Sequence, residues 1–390
     1  MPRILFVHDV IGDLGGAEAY VRQVADGLAG RGWEAALLHG PGTGTGEACF
    51  QTVFPARFPW GADWPAALAA ARDWRPEVVF VHKLAHLPLL RALVDSGLPL
   101  VRYIHDHHLW CQRGYRYFPW NRSICTRTAG LGCALTCLVL RDRQGLLPLR
   151  LAWPGRKLDE LALARRFRRH VTVTGYMRDE LVQHGIDRER IAILPPTPKP
   201  APADWAPTYA APLLVCTGQL IRGKGVDVLL RALPRLRTPG WRCAIIGDGA
   251  QRLHCERLVR RLGLAERVQF TGWVPQDDLR TWWRDARVGV IPSVWPEPIA
   301  TIGLEYLHHA LPVVAFDVGG MSDWLRDGEN GFSVPAWDLA TLAERLDRLL
   351  GDADLARRQG AAGQAQARAT LNREGHLDAL SALLTSETGR

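Results

Sequence analysis

The chain has 390 residues, 47 % hydrophobic and 23 % charged. These are ordinary values for a soluble globular protein, and they exclude collagen-like, coiled-coil and wholly disordered classes. At about 100 to 200 residues per domain the length implies two or three domains, and Lys plus Arg (48) exceed Asp plus Glu (40) to leave +8.

The first element is RILFVH (Arg3 to His8), a short apolar run that reads as a buried parallel strand. A loop with Gly15 and Gly16 follows, then Ala17, Val21, Val24 and Leu28 at helical spacing, stopped by Gly30 and Gly32. Strand-like runs recur at residues 34–39, 77–82, 99–105 and 170–175, with helical stretches at 87–96 and 176–184 between them. Strand and helix alternating in this way imply a doubly wound parallel sheet. Residues 196–211 are proline-rich, and proline neither donates to a ladder nor fits a helix interior, so this stretch is read as a linker. Alternation resumes with strands at 212–217, 241–246, 267–270, 287–291 and 312–316, and helices at 225–236, 250–262, 276–285 and 299–309. From Asp338 the chain is helical and rich in Ala and Arg, with Gly360 and Gly363 read as a break.

The expected architecture is α/β, with two Rossmann-like domains facing a cleft. The first is residues 1–195 with a Cys-rich basic insert at 106–170; the second is 212–365, followed by a helical tail at 366–390 free to pack back on the first domain. No stretch reaches the roughly 18 uncharged apolar residues of a membrane span. His8 and Asp9 interrupt the start where a signal peptide needs apolar length, so the expected compartment is the cytoplasm.

Ligands of open parallel sheets bind at the carboxyl ends of strands. Gly15 and Gly16 precede a helix start there; the pair reads equally as a loop turn or as an anion site. After the first strand of the second domain comes TGQLIRGKGVD, where Arg222 and Lys224 offer cations beside a helix start, as a diphosphate requires. A charged surface turn is the competing reading. The most informative segment is WPEPIATIGLEYL (Trp295 to Leu307). Pro298 fits a first helical turn, so Glu297 is expected just ahead of a helix and Glu305 within it. The amides of Ala300, Thr301 and Ile302 would then face an anion, and two acceptor-only carboxylates would hold sugar hydroxyls.

In order, LLVCTGQLIRGKGVDVLLRAL, IIGDGAQ, RLGLAERVQFTGWVP, WPEPIATIGLEYL and LPVVAFDVGGMSDWLRDGENGFSVP resemble the nucleotide-sugar-binding half of GT-B retaining glycosyltransferases of the family-4 type. GGAEAYV and YIHD resemble that family's N-terminal marks. The resemblance implies a GT-B fold and transfer of a sugar from a UDP- or GDP-type donor to a hydroxyl acceptor, such as a lipid-linked or growing glycan. It assigns Glu297 to the donor sugar, Glu305 to the ribose, Lys224 to the diphosphate, and the amides of Ala300 to Ile302 to the diphosphate or sugar. Val274 lies by the base through its backbone, and His105 touches the transferred sugar. Two positions depart from the family. Gln219 stands where an arginine is common, with Arg222 as a stand-in, and Ile299-Ala300 replaces Phe-Gly. Fixed cations take a metal ion's usual part, so no cofactor is expected for catalysis.

Residues 102–169 concentrate Arg and Lys against Asp106, Asp142, Asp159 and Glu160. This is read as a docking surface for an anionic membrane or acceptor, or as a solvated basic face. Cys111, Cys125, Cys133 and Cys137 cluster in the same stretch. In a reducing compartment four thiols suggest a structural zinc site, in which His107 or His108 could replace a thiol, with plain structural cysteines and a redox or iron-sulfur role as the alternatives. A GT-B sugar-nucleotide epimerase or phosphorylase would share the cleft. A non-catalytic binder of anionic polymers would explain the basic half but leaves Glu297 and Glu305 unused, and no nucleic-acid reader motif is present.

Overall fold

The computed structural model describes residues 1–13, 15–118, 120–137, 139–141, 149–151 and 153–388. The chain divides into two compact units: Met1–Arg116, Thr126–Pro196 and Glu374–Arg390 form one, and Tyr117–Cys125 with Thr197–Arg373 the other. Residues 117–125, read from sequence as part of the first domain's insert, therefore group with the second unit, and the returning tail starts at Glu374 rather than 366.

In the first unit β1 (Arg3–His8), α1 (Gly16–Ala29), β2 (Glu34–His39), α2 (Glu47–Val53), β3 (Ala56–Pro59) and α3 (Trp64–Asp73) come first. Then come β4 (Val78–Val81), α4 (Leu87–Asp95), β5 (Leu100–Ile104), α5 (Gly132–Cys137) and the antiparallel pair β6 (Val139–Arg141) and β7 (Leu149–Leu151). The unit closes its sheet with α6 (Gly155–Ala164), β8 (Arg169–Thr172), α7 (Gly175–Gln183) and β9 (Ile191–Ile193). The sheet order is β3-β2-β1-β4-β5-β8-β9, and its pairs are parallel. Val78 to Val81 are buried on both faces, as a central parallel strand requires. On one face Leu5, Val7, Val79 and Val81 meet Leu89, Leu90 and Leu93 of α4, each contributing about 1.5 to 3 kcal/mol by burial.

The second unit runs β10 (Leu213–Thr217), α8 (Val226–Ala232), β11 (Arg242–Ile246), α9 (Arg252–Arg261), β12 (Val268–Gly272), α10 (Leu279–Trp283) and β13 (Val288–Ile291). It continues through α11 (Thr301–His308), β14 (Val313–Phe316), β15 (Gly331–Val334), α12 (Leu339–Gly351) and α13 (Ala353–Thr370). Its sheet order is β12-β11-β10-β13-β14-β15, all parallel. Each sheet reverses its winding once, at β1/β4 and at β10/β13, and the loops after those strands frame the natural ligand crevice of each unit.

Gly360 and Gly363 do not break the tail, because α13 is continuous through both. They serve packing: a Cβ at Gly360 would stand 2.0 Å from the Ala310 carbonyl oxygen, and one at Gly363 would press on Leu307 at 2.8 Å. The interruptions fall at Asp352, between α12 and α13, and at Leu371 and Asn372, before α14 (Arg373–Glu387). That helix docks on the first unit. The Tyr20 hydroxyl meets His376 Nε2 at 2.9 Å, Trp33 Nε1 donates to Ser381 Oγ, and Arg31 pairs with Glu374 and Asp378. Leu377 occupies the space that a side chain at Gly27 would need.

Candidate active site

The loop after β10 is held by its backbone. Gly218 adopts φ +146°, and the buried Leu220 exchanges backbone hydrogen bonds with Asp248 and Gln251. A single 3-10 turn, Arg222–Lys224, leads into Gly225 at φ +67°, where a Cβ would lie 1.8 Å from the Pro292 carbonyl oxygen. Only glycine fits there. Contact with Pro292 fastens this loop to the end of β13, and Val294 N–H reinforces it by donating to the Gly223 carbonyl at 2.9 Å.

The segment after β13 carries Glu297, 3 % exposed. Three donors converge on one of its oxygens, Oε1: Lys224 Nζ at 2.6 Å, Ser293 Oγ at 2.5 Å and Trp295 Nε1 at 2.7 Å. Lys224 also stands 5.6 Å from the Trp295 ring centre. A buried carboxylate is tolerated only when paired and hydrogen-bonded in this way. Its main chain is clamped as well: Gly320 N–H donates to the Glu297 carbonyl, and a Cβ at Gly319, φ +61°, would lie 2.2 Å from that oxygen. Ser293, Trp295 and the Gly319-Gly320 turn were not singled out from sequence. The resembling segments contain Trp295, Gly319 and Gly320 but not Ser293, and nothing in the spacing announces that these residues close around one side chain.

Helix α11 begins at Thr301, later than the position of Pro298 suggested. Ala300 is its N-cap at φ +52°, a left-handed conformation that a non-glycine residue holds at some cost. Ile299 and Ala300 are buried, and Ile302 lines one recess together with Gln219, Lys224 and Ser293. Arg222 and Gln219 are solvent-exposed.

One turn further on, Glu305 faces a recess of about 500 Å³ shared with Lys199, Gln276, Arg280, Trp283 and His309. Burial pushes its carboxyl up to about 7, against a hydrogen bond from Gln276 that lowers it. His309 packs edge-on to Trp283 and is held by burial at about 4, so it is neutral at physiological pH. Val274 is half-buried beside the exposed Trp273.

In the first unit His105 follows β5, and its Nε2 lies 3.0 Å from His82 Nδ1. Burial takes His105 down to about 3 and His82 well below its ordinary value, so both rings are neutral near pH 7. Lys83 Nζ stands 3.8 Å from both Glu18 and Asp106. Asp106 is held far below the usual carboxylate range against its burial, by His108 above all and by Lys83. A cavity of about 190 Å³ is lined by Asp9, His82, Lys83, His105, Asp106 and Lys157. Gly15 and Gly16 are exposed at the start of α1.

One reading of the insert changes. Arg102, Arg116 and Arg122 point inward and pair with Glu160, Glu180 and Asp227, and Arg169 pairs with Glu387. Part of the basic excess is thus paired internally, while Arg127, Arg156, Arg165, Arg166 and Arg168 are exposed. Cys111, Cys125, Cys133 and Cys137 are free thiols, each half-buried. Among the described residues no group of three or more His, Cys, Asp or Glu side chains is placed to hold a metal ion.

Two parallel α/β sheets, each with polar loops at its β-strand switch point, define the GT-B class. The chain belongs to the group 1 glycosyltransferases: residues 14–197 match the profile of Glycosyltransferase Family 4, and residues 211–352 that of Glycosyl transferases group 1. It is 32 % identical over 225 residues to D-inositol 3-phosphate glycosyltransferase of Nocardia farcinica, covering 53 % of this chain and 50 % of that protein. It is 30 % identical over 224 residues to GDP-mannose-dependent alpha-(1-6)-phosphatidylinositol monomannoside mannosyltransferase of Mycolicibacterium smegmatis, covering 54 % and 58 %. The chain thus spans about half the length of the curated relatives it matches. Among solved structures, Anabaena HepE in complex with UDP superimposes with a TM-score of 0.75 at 17 % identity, over 99 % of this chain and 100 % of that one. Among the described residues no helix is long and apolar enough to cross a membrane.

Proposed function

We propose that the protein is a retaining glycosyltransferase that moves a sugar from a nucleoside diphosphate sugar to a hydroxyl acceptor. The observation that carries this is Glu297, buried and gripped through Oε1 by Lys224, Ser293 and Trp295, with α11 starting just beyond it. With Oε1 occupied, Oε2 is the oxygen for a hydroxyl of the donor sugar. Lys224 and the amides of Thr301 and Ile302 face the diphosphate, and Glu305 in its recess accepts from the ribose diol. Val274 lies by the base. In the first unit, His105 is the candidate sugar contact and the cavity beside it the candidate acceptor pocket.

In the reaction the bond from the sugar's anomeric carbon to the diphosphate oxygen breaks. The acceptor oxygen then bonds to the same face, and the acceptor's proton passes to the leaving diphosphate. Negative charge grows on the diphosphate, so the protein's work is electrostatic: Lys224 and the helix amides stabilise that charge, with Arg222 at the rim. UDP and GDP sugars are the donor classes, supported by the UDP bound in HepE and by the GDP-mannose dependence of the mycobacterial relative. Exposed Leu131, Leu135 and Trp153 in the insert support a lipid-linked acceptor at a membrane surface. Titrating UDP, GDP and ADP, then assaying transfer from the matching sugars with wild type and Glu297→Gln, tests the reading. Turnover by Glu297→Gln within a few-fold of wild type overturns it.

A further inference from the structure

Residues 117–125 interrupt the first unit's chain yet belong to the second. Tyr117 and Ile124 bridge in antiparallel fashion, Phe118 N–H donates to the Ser123 carbonyl, and Arg122 N–H donates to the Phe118 carbonyl. Arg122 itself sits at φ +59°, a strained conformation for an arginine, which persists only where the surroundings enforce it. What enforces it is visible. Its guanidinium donates both ways to Asp227, Nη1 to Oδ1 at 3.0 Å and Nη2 to Oδ2 at 2.9 Å, and lies 5.6 Å from the Trp337 ring centre. Both partners are nine-tenths buried.

Asp227 lies in the first turn of α8, two residues after Gly225 and three after Lys224. At the other end of the 117–125 segment, Tyr117 flanks Gly223: a Cβ there would meet the Tyr117 ring at 3.3 Å and Trp295 at 3.1 Å. The turn bearing Lys224 is therefore held from three sides: by Pro292 behind Gly225, by Val294 at Gly223, and by the 117–125 segment at Gly223 and Asp227. The first two lie in the Glu297 loop itself. The third comes from a distant part of the sequence.

We infer that Arg122 is a positioning residue for the diphosphate site: its fork on Asp227 fixes the angle at which α8 leaves the Arg222–Lys224 turn and so where the Lys224 ammonium stands. A two-point guanidinium–carboxylate contact fixes orientation as well as distance, which a single lysine contact does not. This inference rests on the donor-site reading above.

The test compares nucleotides that do and do not reach Lys224. UDP, GDP and ADP are titrated calorimetrically against wild type, and the one that binds is used with its own monophosphate. Arg122→Met and Asp227→Asn should each weaken the diphosphate about tenfold while leaving the monophosphate within about twofold, since small misplacements of a charge-stabilising group are costly. The double variant should be no worse than either single one, and Arg122→Lys, which retains the charge but not the fork, should fall between Arg122→Met and wild type. Unchanged affinity for both nucleotides, or equal losses for both, overturns the positioning role. Wild type that binds none of the three diphosphates overturns the donor-site reading, and this inference falls with it.

Discussion

At the strand ends of the first unit, His82 and His105 touch each other, and burial keeps both rings neutral near pH 7. At the strand ends of the second, the buried Glu297 and the half-buried Lys224 form a hydrogen-bonded ion pair. A lone imidazole in a low-dielectric site gives up its proton, whereas a carboxylate surrounded by an ammonium, a hydroxyl and an indole N–H has its desolvation offset. The first unit thus sets two neutral imidazoles beside Lys83 and Asp106 in one cavity. The second presents preorganised charge, suited to a substrate whose own charge changes during reaction.

The comparison breaks most sharply at Glu297. Glu297→Gln should cost at least about 100-fold in transfer rate, the scale for removing one preorganised electrostatic contact, with the nucleotide dissociation constant little changed. Steady-state kinetics beside calorimetry reads both. Lys224→Ala comes next, with about 100-fold lost in kcat/KM and weaker donor binding, because the growing diphosphate charge loses its nearest cation. Arg222, exposed at the same turn, should matter less, about threefold to tenfold at the distance of a solvent-screened charge. An Arg222→Ala effect equal to that of Lys224→Ala would show that the exposed cation replaces the missing arginine at Gln219.

Glu305 sharpens the contrast by pH. Its carboxyl titrates at about 7 in the folded protein, against roughly 4.3 for an unperturbed glutamate. The folded state therefore holds this proton more tightly, and its contribution to stability is complete below the unfolded value and lost as pH rises through 7. Glu305→Gln should accordingly stabilise the ligand-free protein by roughly 3 to 4 kcal/mol at pH 8 but only about 1 kcal/mol at pH 5, measured by denaturant unfolding. Donor affinity should move the other way. It should fall as pH drops below 7 in wild type, as the ribose acceptor protonates, and lose that dependence in the variant. His105, held at about 3, should add no such limb. The smallest effect expected is at Ala300, whose φ of +52° glycine adopts without penalty. Ala300→Gly should add about 0.5 to 1 kcal/mol of stability by thermal unfolding without loss of activity.

The sequence alone carried most of the order of strands and helices, though not β3, β9 or β15, with the proline-rich join and the placing of Lys224, Glu297 and Glu305 just after strands. These are properties of short windows: apolar runs, helical spacing and polar residues placed just after strands are all written locally. What it could not carry was convergence. Ser293 and Trp295 are ordinary loop residues until the chain folds them onto Glu297 Oε1, and Gly319 matters only because the Glu297 main chain passes 2.2 Å from where its Cβ would be. The basic stretch shows the same limit, since charge counted along a chain takes no account of partners. Glu160 and Asp227 lie 58 and 105 residues from the arginines they neutralise. Strand order and loop placement follow from local periodicity, while ion pairing, burial and the pKa values they set depend on distances that only tertiary structure assigns.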